Sequence, residues 1–146
     1  MLNKKSEANL ETAKLCFEKE AESFYSVGVS RAYYAIFQMT KYLLEKNSFD
    51  YKLFKKNDPV AKKKRDYAHG SISSALEHFL LNNGFNSQDD LKFIDDMHST
   101  FLKLYSWRIE GDYKEIVISE ENLQEAIKRA EILINELKKY VRRINL

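Results

Sequence analysis

The chain has 146 residues, with 24 Lys and Arg against 22 Asp and Glu for a formal net charge of +2, and one Cys, one Pro and four Gly. Charges that nearly cancel exclude an overall basic coat for nucleic acid and leave only local patches. A single thiol excludes a disulfide framework within the chain and a zinc cluster built on cysteines. The length suits one domain spanning 1–146, burying roughly 70% of its unfolded surface. So few Gly and Pro predict long helices. The opening MLNKKSEANLETAKL has no apolar h-region, and the longest apolar run is about one third of a membrane span. Neither a signal peptide nor a membrane helix is expected, and a reducing cytoplasm is the expected compartment.

In chain order, a first helix is predicted from about Lys4 to Phe24, with Leu10, Ala13, Phe17, Ala21 and Phe24 as its stripe. Tyr25, Ser26 and Gly28 read as a corner, with Ser26 as N-cap of the next helix. That helix, Ser26 to Asn47, is the centre of the pattern. Val29, Tyr33, Ile36, Phe37, Thr40, Leu43 and Leu44 follow i, i+3, i+4, i+7 spacing and share one face. Arg31, Tyr34, Gln38 and Tyr42 form a second, aromatic-polar face, the kind that lies at an interface.

The pattern then breaks. The stretch from about 48 to 68 reads as an irregular basic connection, with Asp58-Pro59 as the start of a short helix. A third helix is predicted from about His69 to Asn83, stopped by Asn82-Asn83-Gly84. Ser87 caps a fourth, with Asp89 and Asp90 in its first turn and Leu91, Ile94, Met97, Phe101, Leu104, Tyr105 and Arg108 along it, ending near Gly111. The stretch Asp112 to Ile118 reads as a loop. Ser119 caps the last helix, whose stripe is Leu123, Ala126, Ile127, Ala130, Leu133, Ile134, Leu137, Tyr140, Val141 and Ile144. The fold class is therefore all-α, an up-down bundle of four long helices plus a shorter one.

Three groups of residues could carry chemistry. His69, beside Gly70 at a predicted helix start, would have its pKa lowered by the helix dipole, which suits acid–base work; the plain alternative is a capping or hinge residue. Arg108 continues an apolar stripe, and Asp112 falls four residues on. The pair reads either as an internal bridge or as a guanidinium in a cleft that grips phosphate. Lys62, Lys63, Lys64 and Arg65 would attract phosphates non-specifically, with Tyr67 able to stack on a base; a solvated loop explains the same run. His78 and His98 read as structural. No Ser-His-acid set, paired-carboxylate set or HExxH is present, and no metal or other cofactor is expected.

The run Ser30-Arg31-Ala32-Tyr33-Tyr34-Ala35-Ile36-Phe37 resembles the central helix of the HEPN superfamily, in particular small stand-alone HEPN proteins. His69-Gly70 and then Arg108 with Asp112-Tyr113 follow in the order that the resemblance expects, over about Leu10 to Tyr140. The resemblance implies a helical bundle, commonly a homodimer. It also implies metal-independent cleavage of RNA by a toxin or phage-defence effector, with an Arg and a His in roles that Arg108 and His69 would fill. Asp112 or Tyr113 stands where that pattern has its His. The alternative it implies is a non-catalytic module that pairs with a minimal nucleotidyltransferase or binds a nucleotide; an antitoxin is the other implied partner. A ligand-free dimerisation bundle joined through Tyr34, Gln38 and Tyr42 is a third reading.

Overall fold

The computed structural model describes residues 3–18, 22–113 and 118–145, with the side chains at 22, 23 and 111–113 outside that description. Among the described residues the fold is all-α. Its helices are α1 (Lys4–Glu18), α2 (Glu22–Lys46), α3 (Tyr51–Asn57), α4 (Ile72–Asn82), α5 (Gln88–Tyr113) and α6 (Glu120–Ile144), with a 3-10 turn over Ala61–Lys63.

Local chemistry sets the helix starts. At α5, the Asp90 N–H donates to Ser87 Oγ at 3.1 Å and the Ser87 N–H donates back to Asp90 Oδ2 at 3.2 Å. This reciprocal cap satisfies two orphan donors and explains why a carboxylate is buried there. Ser119 Oγ accepts from the Asn122 N–H at 3.0 Å and starts α6 as the sequence predicts. After α4, Gly84 takes φ +83°, the left-handed stop that the Asn-Asn-Gly run predicts.

Several expectations change. Helix α2 begins at Glu22, so Tyr25, Ser26 and Gly28 lie inside it and form no corner, and α1 ends at Glu18. Phe24, expected inward, is exposed, and Ala21 lies outside the described residues. Segment 48–68 is irregular only in part: Asp50 Oδ1 accepts from the Leu53 N–H at 3.0 Å and starts α3, which was not expected, while the short helix expected after Asp58-Pro59 is present as the 3-10 turn, with Asp58 Oδ1 accepting from Val60 and Ala61. Helix α4 starts at Ile72, not at His69. Finally, α5 runs on to Tyr113, past the predicted end, and Leu91 on it is exposed because the buried stripe there is carried by Asp90, Phe93, Ile94 and Met97.

The chain divides into two compact units, residues 1–39 with 100–146 and residues 40–99. In the first, α1 is antiparallel to α2: Asn3 reaches the Gln38 carbonyl, Ser6 Oγ donates to the Ala35 carbonyl at 2.7 Å, and Cys16 meets Gly28, so one partner number falls as the other rises. Helix α6 packs on α1. In the second, Phe49, Phe54 and Phe79 make edge and tilted ring contacts, with His78 against Phe49 and Phe54. His98 Nε2 lies 3.2 Å from Glu77 Oε1. His78 and His98 are thus both engaged in packing and pairing.

Gly28 sits where three helices converge. A Cβ there would stand 2.6 Å from Leu123 Cδ1 and 3.0 Å from Cys16 Cβ, closer than atoms pack. Both neighbours are buried and cannot swing away. Overpacking costs about 1–3 kcal/mol, and the better helix propensity of alanine returns about 1 kcal/mol. Gly28→Ala is expected to lower unfolding free energy in urea by about 1 kcal/mol. Leu123→Val should cost less in that background than in the parent, a coupling that a double-mutant cycle measures.

Candidate functional site

The aromatic motif of α2 builds the first part of the site. Ala32 and Ala35 are buried and small, so neighbouring helices come close. Tyr33 lies between them, 1% exposed. Its ring meets Phe101 at 6.2 Å and 88° and Tyr105 at 5.6 Å, both from α5. Edge-to-face geometry of this kind adds about 0.5–1.5 kcal/mol per pair beyond burial.

Arg108 lies on the same turn of packing. Its Nη2 donates to Tyr34 Oη at 3.1 Å, and its guanidinium carbon stands 5.1 Å from the Tyr34 ring centre and 5.8 Å from that of Tyr33. The cation is therefore oriented by a hydroxyl and by two π faces. Burial pushes the Tyr33 phenol far above its usual range, against the opposite pull of the Arg108 charge. Tyr33 therefore stays neutral at ordinary pH. The guanidinium is half-buried, with its Nη2 held by the Tyr34 hydroxyl. Asp112 and Tyr113 continue α5 one turn beyond Arg108, and their side chains lie outside the described residues.

The other residues of the aromatic-polar face have partners within the chain. Arg31 Nη1 donates to Asn9 Oδ1 at 3.4 Å. The Gln38 carbonyl accepts from Asn3. Lys46 Nζ donates to Tyr42 Oη at 3.2 Å.

In the second unit His69 stands in the turn before α4, ahead of the N-cap Ser71. The turn is fastened from α3. Tyr51 Oη and Ser71 Oγ are 2.6 Å apart, and Ser71 Oγ donates to the Ala68 carbonyl at 3.2 Å. Lys55 Nζ pairs with Asp66 at 3.1 Å. Tyr67 is held at φ 56°, a left-handed conformation that tyrosine rarely adopts. Its ring packs on Tyr51 at 4.5 Å, and Lys41 Nζ stands 5.6 Å from its centre. Tyr67 thus has ring partners of its own. A Cβ at Gly70 would collide with the Lys64 ammonium, so the Lys64 side chain crosses over Gly70, next to His69. Lys62, Lys63 and Arg65 are exposed.

Sequence reasoning missed Tyr51, Ser71 and the Lys64–Gly70 crossing. The readable signal was Asp50 followed by Tyr51 and Phe54, an N-cap with an i, i+3 apolar pair. Arg108 belongs to the first unit and His69 to the second. Among the described residues, no group of three or more His, Cys, Asp or Glu is arranged to hold a metal ion, and no helix is long and apolar enough to cross a membrane.

A Methanocaldococcus jannaschii protein named "Putative toxin" is 29% identical to the chain over 140 residues, covering 95% of the chain and 85% of that protein. No protein-family model matches the chain, and no solved structure does.

Two outcomes test this geometry. Tyr34→Phe removes the acceptor on Arg108 and should lower stability by about 1 kcal/mol. In an Arg108→Met background the same change should cost less than in the parent, as read from urea unfolding. The Tyr67 phenol is pushed up to about 12 from an ordinary 10.0, chiefly by burial, then by Glu45 and other negative or phenolic neighbours. A raised folded pKa makes that contribution complete below about pH 10, and stability falls as pH rises through 10 to 12. Tyr67→Phe should flatten this alkaline decline, followed by far-UV circular dichroism.

Proposed function

We propose that the chain is a toxin-type effector of the HEPN kind that acts on RNA without a metal ion. The observation that carries this reading is Arg108 held against Tyr33 and Tyr34, which joins two of the blocks in which the chain resembles HEPN proteins. The end-to-end likeness to a protein named as a toxin supports the same class.

In this reading a ribose 2′-hydroxyl of the RNA attacks the adjacent phosphorus. His69 takes the 2′-proton as general base or returns a proton to the departing 5′-oxygen. Arg108 stabilises the phosphorane charge as it forms. The P–O5′ bond breaks as the P–O2′ bond forms, leaving a 2′,3′-cyclic phosphate and a 5′-hydroxyl. Asp112 and Tyr113, in the turn after Arg108, would complete the catalytic set. Lys62, Lys63, Lys64 and Arg65 would hold the RNA, with Tyr67 beside them. Arg31, Tyr34, Gln38 and Tyr42 would lie at a homodimer interface, and an antitoxin or nucleotidyltransferase would be the partner protein.

The test incubates purified full chain with mixed cellular RNA in chelator, beside His69→Ala and Arg108→Ala. Cleavage by the parent, reduced at least 100-fold in both variants, is the expected result. Intact RNA in every lane would overturn the ribonuclease reading and favour the non-catalytic module that pairs with a nucleotidyltransferase.

A further inference from the structure

Charge is distributed unevenly along this chain. Between Lys52 and Arg65 there are seven cations and one carboxylate, Asp58, while the whole chain carries only +2. The remainder of the chain is therefore net acidic. The structure brings the two stretches that carry most of these cations together, because α3 packs against the 3-10 turn that follows it. Asp58 is engaged inside that turn, accepting from the backbone of Val60 and Ala61. Lys55 is neutralised by Asp66 at 3.1 Å. Lys52, Lys56, Lys62, Lys63 and Arg65 remain exposed, and Lys64 leads from them across Gly70 to the turn of His69.

We infer that this surface, made of α3 and the 3-10 turn, is an electrostatic track for the phosphate backbone of single-stranded RNA. The inference rests on the RNA-directed reading above and extends it to Lys52 and Lys56 on α3, which the linear run of cations does not include. Lys52 and Lys56 are one helical turn apart, about 6 Å along the axis, close to the step between phosphates of an extended strand. The attraction is independent of base sequence: Tyr67, the nearest aromatic, has its ring packed on Tyr51 and beside Lys41. An anionic membrane surface fits less well. A surface-lying helix needs a broad apolar face to bury in lipid, whereas the short α3 turns Tyr51 and Phe54 into the core and exposes Leu53 alone among its large apolar side chains.

The test measures binding of fluorescent oligouridylate to the full chain in the Arg108→Ala background, in chelator, across a salt series. One variant carries Lys52→Gln, Lys56→Gln, Lys62→Gln and Lys63→Gln. A second of identical net charge carries Lys128→Gln, Lys138→Gln, Lys139→Gln and Arg142→Gln on α6. Each phosphate contact contributes about 0.7 to the slope of log affinity against log salt for a single strand. The α3-turn variant should lose more than tenfold in affinity at low salt and flatten the slope by about 2 to 3, while the α6 variant stays near the parent. Equal losses in both variants, no loss in the first, or binding of phosphatidylserine vesicles in place of RNA would each overturn the track. Patch-dependent binding with no cleavage by the parent would remove the ribonuclease reading and leave the track standing. Cleavage by the parent with undiminished binding by the α3-turn variant would do the reverse.

Discussion

The missing side chain at position 28 sets how closely the helices of the first unit approach. Leu123 from α6 and Cys16 from α1 both lie where a Cβ would be. That contact fixes the spacing of α2 against two partners, and the rest of the α2 stripe depends on it. Tyr25, Val29, Ala32, Tyr33 and Ile36 are buried in register with Gly28, so a shift at one level would propagate along the helix as misplaced side chains. The glycine costs helix propensity, and close packing offsets the loss.

The same helix places two tyrosines under Arg108. A guanidinium in a partly buried site is expensive unless its N–H groups and charge find partners. The Tyr34 hydroxyl and the ring faces of Tyr33 and Tyr34 are among those partners.

The buried stripe of α2 was legible in the sequence, since all seven positions assigned to its apolar face are buried. So were the caps at Ser87 and Ser119, because side-chain capping is a local event that neighbouring residues determine. Residue type alone misleads elsewhere. Gly28 beside Tyr25 and Ser26 has the residue types of a turn, although Tyr25, Val29 and Ala32 continue the helical period around it, and only a third helix explains a glycine there. The density of lysine over 48–68 hid α3, whose two aromatic anchors lie three residues apart in a polar stretch. The site was less legible than the fold. His69 and Gly70 were picked out, but what holds their turn is a hydroxyl pair between Tyr51 and Ser71, twenty residues apart, and no local pattern encodes such a pairing. The charge of Lys62 to Arg65 was visible in the sequence; its continuation onto α3 needed the packing of α3 against the 3-10 turn.

The chain's single sulfur atom gains a use from its position. Cys16 is buried against Gly28, and burial pushes its thiol above the ordinary range, so in the closed state it is a poor nucleophile. Separation of α1 from α2 would expose it. The protein thus carries a native chemical clock: the rate at which a thiol reagent is consumed counts the openings of this helix pair. Because each molecule has one thiol, that count needs no engineered label and no deconvolution.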